Sequence, residues 1–169
     1  MKPALLVVDL QNEFFEEGSP SLQSLRSAVE YVNAAIALFR KIGAPIVVVR
    51  DIAEPNREAG MKSFEVHPSV KVRPEDLHVD KRFGNTFWLT DIEEDLRARF
   101  IDFVVITGFR ADQCVLDTFR GARERGFGAA VLQGGIAGPR QDHIDFVERI
   151  CDVISYGALA GVLERSRGA

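Results

Sequence analysis

The chain has 169 residues, and 21 Lys and Arg against 25 Asp and Glu give a formal charge of −4 with a pI near 5.4. That mildly acidic balance, with no basic run, excludes an obvious binder of nucleic acid or anionic membrane. The fractions of 46% hydrophobic and 27% charged residues are ordinary for one globular domain, here 1–169, and the two cysteines, Cys114 and Cys151, point to a reducing, cytoplasmic setting rather than a disulfide scaffold or a zinc knuckle.

The first apolar run, Ala4 to Val8, is broken by Asp9. It is too short for a signal-peptide core or a membrane span, and its continuous β-branched character predicts a strand buried on both faces. Leu22 to Lys41 carries apolar residues at Leu25, Val29, Val32, Ile36 and Phe39, near the helical repeat, and stops before Gly43. Pro45 to Val49 is a second strand pattern, followed by an irregular stretch from Asp51 to Trp88 that is long for a loop and holds one more short strand near Leu77 to Asp80. Thr90-x-x-Glu93 has capping-box spacing and predicts a helix to about Phe100. Strands at Phe103 to Ile106 and Ala129 to Leu132, helices over Asp112 to Arg125 and Gln141 to Cys151, a short strand at Asp152 to Ser155 and a closing helix over Tyr156 to Arg165 complete the chain. Strand and helix in alternation predict an α/β fold, a Rossmann-like three-layer sandwich whose mostly parallel, doubly wound sheet has about six strands.

In such sheets ligands bind beyond the carboxyl ends of the strands. Asp9 ends the first strand, Asp51 the second, Lys81 follows the third, and Cys114 lies in the turn that starts the helix after the fourth. Each Asp alone is equally well a cap or turn former. A cysteine at a helix start faces unpaired N–H groups and the positive dipole end, and a nearby Lys81 adds to the same effect, so the expectation is a lowered pKa with Asp9 as proton acceptor. A small buried residue is the commoner fate of a free cysteine, and Cys151, on the amphipathic segment with Ile144 and Val147, is read as core. The same strand-end set also suits a receiver-like module holding a divalent ion and accepting phosphate, a reading disfavoured by the chain length, the single acidic residue after the first strand and the cysteine.

Three segments carry a resemblance. Ala4–Phe15, Asp80–Phe87 and Ile106–Val115 resemble, in order, the first, lysine and nucleophile motifs of the isochorismatase-like cysteine hydrolases, the group that includes nicotinamidases and N-carbamoyl amidohydrolases; Thr118 and Gly126 also match the family pattern. The resemblance implies a catalytic triad of Asp9, Lys81 and Cys114. It further implies a cis peptide joining Phe109 to Arg110, an oxyanion hole from the backbone N–H groups of Arg110 and Cys114, and a homo-oligomer, dimer or tetramer. Phe14 matches a substrate-contact position, and Phe83 and Trp88 are further candidate pocket walls; Phe87 reads more as core.

Three departures shape what is expected. Nicotinamidases carry Asp-x-His at the end of the second strand, whereas this chain has Asp51-Ile52-Ala53, and His67, His78 and His143 lack ligand-like spacing, so no metal and no cofactor are expected. Arg110 is bulky and charged where the family is small or apolar, and Ala111 replaces a threonine; the Arg110 side chain either faces solvent or a structural ion pair, or grips a substrate carboxylate. Gly134 to Gly138 replaces an acidic segment and is expected to form a mobile loop. Isochorismatases proper cleave a vinyl ether without a cysteine. Cys114 therefore implies a metal-independent C–N hydrolase acting on a small carboxamide or ureido compound, the alternative being a catalytically silent member that serves as an oligomeric binding protein.

Overall fold

The structure, a computed structural model, describes residues 1–53 and 60–166. Six parallel strands form one sheet in the order β3-β2-β1-β4-β5-β6. They are β1 (Pro3–Val8), β2 (Ile46–Asp51), β3 (Leu77–Lys81), β4 (Phe103–Phe109), β5 (Gly128–Ala137) and β6 (Val153–Ile154), with helices α1 (Leu22–Ile42), α2 (Ile92–Ala98), α3 (Leu116–Glu124), α4 (Gln141–Ile150) and α5 (Tyr156–Ser166). The α/β architecture is the expected one.

Every residue of β1 is buried, which is why its sequence reads as an unbroken apolar run and not as an alternation. Its side chains divide between two cores. Ala4, Leu6 and Val8 face a layer made by α2, α3 and α4, through Leu96, Phe119 and Val147, while Leu5 and Val7 face α1 and α5 through Leu25, Phe39 and Leu159. Strand order reverses at β1: the chain adds β2 and β3 on one side, then crosses to β4 on the other. The carboxyl ends of β1 and β4, where this reversal falls, are the place at which open parallel sheets hold ligands.

Three local expectations are corrected. Helix α2 begins at Ile92 with Asp91 before it; the Thr90 hydroxyl donates to the Thr86 carbonyl instead of capping, and Glu93 pairs with Arg97 and Arg125. The helix after β4 opens with a π-helical turn over Ala111–Val115 before α3 starts. The Gly134 to Gly138 segment is no mobile loop: β5 runs on to Ala137, and Gly138 exchanges two hydrogen bonds with the Ser24 hydroxyl. A register shift between Ile106 and Gly108 lets β5 follow β4 to its end.

Part of the long Asp51 to Trp88 loop, 54–59, lies outside the described residues. Of the rest, Val66 bridges Gln11, Phe64 is buried under the Arg50 guanidinium at 4.4 Å, and the Asn33 amide donates to the Ser69 carbonyl. Among the described residues no helix is long and apolar enough to cross a membrane.

Candidate active site

The reversal point is built by unusual backbone on both strands. Asp9 leaves β1 with φ 50, a left-handed conformation that costs a non-glycine residue roughly 1 kcal/mol and turns the side chain across the strand ends. Opposite it, Gly108 has φ +112 and lies so close to Val8 that a Cβ would stand 2.0 Å from the Val8 carbonyl oxygen. The Phe109–Arg110 peptide that follows is cis, as the resemblance implies, and leads into the π-helical turn that carries Cys114. Lys81, the last residue of β3, reaches across the end of β2 with its side chain fully buried.

These elements bring Asp9, Lys81 and Cys114 together. The Lys81 ammonium lies 2.8 Å from Asp9 Oδ2, donates to Cys114 Sγ at 3.3 Å and stands 3.9 Å from Asp51 Oδ2. Asp51 is a turn former as well as a neighbour of the ammonium, since its Oδ1 accepts the Ala53 N–H. Beyond the Lys81 ion pair, neither buried Asp9 oxygen takes a well-directed hydrogen bond among the described residues.

Burial pushes the Asp9 carboxyl up to about 6, with the Lys81 charge limiting the rise. For Lys81 burial pulls downward, yet Asp9, Cys114 and Asp51 together outweigh it and hold the ammonium above its ordinary value. The expectation of an acidic thiol is overturned. Burial, and then the Asp9 charge, push Cys114 up to about 12 despite Lys81. The thiol is therefore neutral at rest, beside a carboxylate that is mostly ionised at neutral pH.

The oxygen and sulfur donors of Asp9, Asp51 and Cys114 lie within 4.8 Å of one another, a spacing that suits a metal ion. The cation among them is the Lys81 ammonium, and a divalent ion would meet its charge there. The residues do not fit the histidine-containing metal site of nicotinamidases either. His67 stacks on Phe15 with ring centroids 4.0 Å apart and bonds Ser69 through Nδ1, and position 53 is Ala53. The receiver-like reading loses its ion-binding centre on the same ground.

Phe14 packs on Phe109 with centroids 4.8 Å apart, at the start of the cis peptide. Phe83 and Trp88 are about half exposed on the segment after β3, while Phe87 is core, and Cys151 is half-buried against the α3 and α4 core. The Arg110 guanidinium grips Asp112 with two hydrogen bonds, Nε at 2.8 Å and NH2 at 3.0 Å, so of the alternatives weighed for it the ion pair is the one formed.

Several residues that build the site were not singled out by sequence. The Gln11 amide clamps the end of β2, donating to the Asp51 carbonyl and accepting the Asp51 N–H at 2.7 Å; its position two residues after Asp9 was the available signal. Thr86 shares a buried hydroxyl pair at 2.8 Å with Thr118, a position the family pattern had already marked, and this ties the segment after Lys81 to α3. Asp112 also meets His143 Nδ1 at 2.8 Å, joining the turn to α4.

Comparison with known proteins matches residues 3–150 to the isochorismatase domain. An uncharacterised isochorismatase family protein of Bacillus subtilis, YddQ, is 29% identical over 141 residues, which cover 81% of this chain and 78% of that protein. A probable inactive nicotinamidase of Arabidopsis thaliana is 26% identical, covering 68% and 69%. Among solved structures, N-carbamoylsarcosine amidase from Thermoplasma acidophilum superposes with a TM-score of 0.81 at 29% identity, covering 92% of this chain and 97% of that one.

Proposed function

The chain belongs to the isochorismatase family, and on that premise we propose that it is a cysteine hydrolase that cleaves the C–N bond of a small carboxamide or ureido compound through a thioester, without a metal. The observation that carries this reading is the Lys81 ammonium within 2.8 Å of a buried carboxylate and 3.3 Å of a thiol. Similarity to an N-carbamoylsarcosine amidase supports the choice of bond.

The steps follow from the charges. As Sγ of Cys114 bonds the carbonyl carbon, its proton passes to Asp9, and Lys81 stabilises the negative charge that develops on sulfur. The carbonyl oxygen becomes an oxyanion facing the backbone N–H groups of Arg110 and Cys114; losing one such donor typically costs on the order of 3 kcal/mol in the barrier. Asp9 returns the proton to the nitrogen, the C–N bond breaks and ammonia or an amine leaves. Water then attacks the thioester with Asp9 again as base, releasing the acid and the thiol. Phe14, Phe83 and Trp88 are the proposed walls for the planar substrate. The whole chain acts as one domain in this reading. A cytoplasmic homo-oligomer is its setting, supported by the cysteine-poor composition and by the exposed apolar Phe146 and Ile150 of α4.

A panel of small amides and ureides, assayed for released ammonia, tests the reading. Turnover is expected in the wild type and loss of at least about a thousandfold in Cys114→Ala, with unchanged circular dichroism. An equally active Cys114→Ala protein overturns it. The likeness to a probable inactive nicotinamidase favours the second reading, a silent binding member, which predicts that both proteins bind an amide and neither releases ammonia.

A further inference from the structure

Arg110 stands at the candidate oxyanion turn, four residues before Cys114, with its side chain 31% exposed. A guanidinium fork is the group that grips a carboxylate with two hydrogen bonds, but the Nε and NH2 fork of Arg110 is already filled by both oxygens of Asp112. His143, from α4, holds the same carboxylate at 2.8 Å, fixing it in place from a second element. Arg82, the next cation after Lys81, is turned to the Ile52 carbonyl at 3.3 Å.

Around the thiol the described residues therefore place Lys81 and Arg110 against Asp9, Asp51 and Asp112. Each of these two cations is matched by a carboxylate, so neither is left over to pair with an anionic substrate.

We propose that Asp112 is a specificity-determining residue: by occupying the Arg110 fork it leaves the oxyanion turn without a carboxylate anchor, so that the substrate is an uncharged amide and not the amide of a small acid. This rests on the amide-hydrolase reading for the identity of the substrate, but the charge selectivity of the thiol is measurable without turnover. Asp112 and His143 act as positioning residues, setting the orientation and effective charge of Arg110.

Iodoacetamide and iodoacetate form a matched neutral and anionic pair. The experiment compares their alkylation rates at Cys114 at pH 7.5, read by peptide mass spectrometry, with 2-mercaptoethanol as the free-thiol reference. In the wild type, iodoacetate is expected to be no faster relative to iodoacetamide than on the free thiol. Asp112→Asn releases one unit charge on Arg110 and should raise the iodoacetate to iodoacetamide ratio about tenfold, whereas Asp112→Glu keeps the wild-type ratio and Asp112→Asn combined with Arg110→Gln removes the gain.

A wild-type preference for iodoacetate that disappears in Arg110→Gln overturns the proposal, because Arg110 would then be an anion anchor as it stands. A folded Asp112→Asn protein with an unchanged ratio also overturns it. Should that variant fail to fold, protection of wild-type Cys114 decides: acetamide is expected to slow iodoacetamide and acetate is not, and protection by acetate equal to that by acetamide counts against the proposal. Alkylation and protection need no turnover, so failure here differs from failure of the hydrolase reading, which falls to an active Cys114→Ala protein.

Discussion

Replacing Lys81 with Met is expected to remove turnover by at least about a thousandfold, roughly 4 kcal/mol of barrier, while the chain still folds. The ammonium is 2.8 Å from Asp9 and 3.3 Å from Cys114, so its loss acts on both partners at once. Asp9 already has its carboxyl raised to about 6 by burial, and Lys81 is what limits that rise. Without it the carboxyl is protonated at neutral pH and has no lone charge with which to take the thiol proton. Protonation also spares the fold, because a neutral acid beside a Met side chain leaves no unpaired charge in the core.

The sign of the stability change follows. A carboxyl whose folded pKa lies above its unfolded value favours the fold at low pH, and that contribution disappears as pH rises from the unfolded value through the folded one. With the folded value higher still in Lys81→Met, thermal stability should fall more steeply between pH 5 and 8, on the order of a few kcal/mol across the range, than in the wild type. A variant within tenfold of wild-type turnover, or with the wild-type pH slope, contradicts this account of Lys81.

Gly108→Ala is expected to be the most damaging single methyl group in the chain. At φ +112 the added Cβ would stand 2.0 Å from the oxygen and 2.7 Å from the nitrogen of Val8, backbone atoms that cannot swing aside as a side chain could. The pairing of Val8 with Gly108 must open, and Asp9 follows directly after Val8. A loss above about 3 kcal/mol is expected. Gly126 is the control: its φ is +79 but nothing lies within 4 Å of its Cβ position, so Gly126→Ala should cost only about 1 kcal/mol of backbone strain. Urea unfolding of the two variants checks the pair, and equal midpoints would contradict the close approach of β1 and β4.

Most of the fold was legible because buried parallel strands and an amphipathic helix leave strong patterns. β1 and α1 are cases in point: an unbroken apolar run ending at Asp9, and a helical repeat ending at Gly43, which has φ 69. Where a side chain had two possible partners the sequence pattern misled. Thr90 has capping-box spacing, yet a carbonyl four residues earlier takes its hydroxyl. Gly134 to Gly138 looks like a loop by composition, but β4 offers an edge long enough to carry β5 through it.

The three site residues could be proposed from motif order, whereas the sign of the Cys114 shift could not. A linear reading sees the helix start and the lysine, which favour thiolate, but not the burial and the Asp9 charge that outweigh them. Asp112 was missed for a related reason. An Arg and an Asp two residues apart are common, and only the fold shows His143 closing on the same carboxylate.

The central claim is that Asp9 is the base that activates a thiol neutral at rest, and the pH dependence of Cys114 alkylation by iodoacetamide tests it most directly. Below about 6 the Asp9 carboxyl is protonated and cannot accept the thiol proton, so labelling should rise as pH increases through about 6 and should lose that inflection in Asp9→Asn. A profile with no inflection near 6, rising only in the range of an ordinary thiol, about 8.5, and identical in Asp9→Asn, would contradict it.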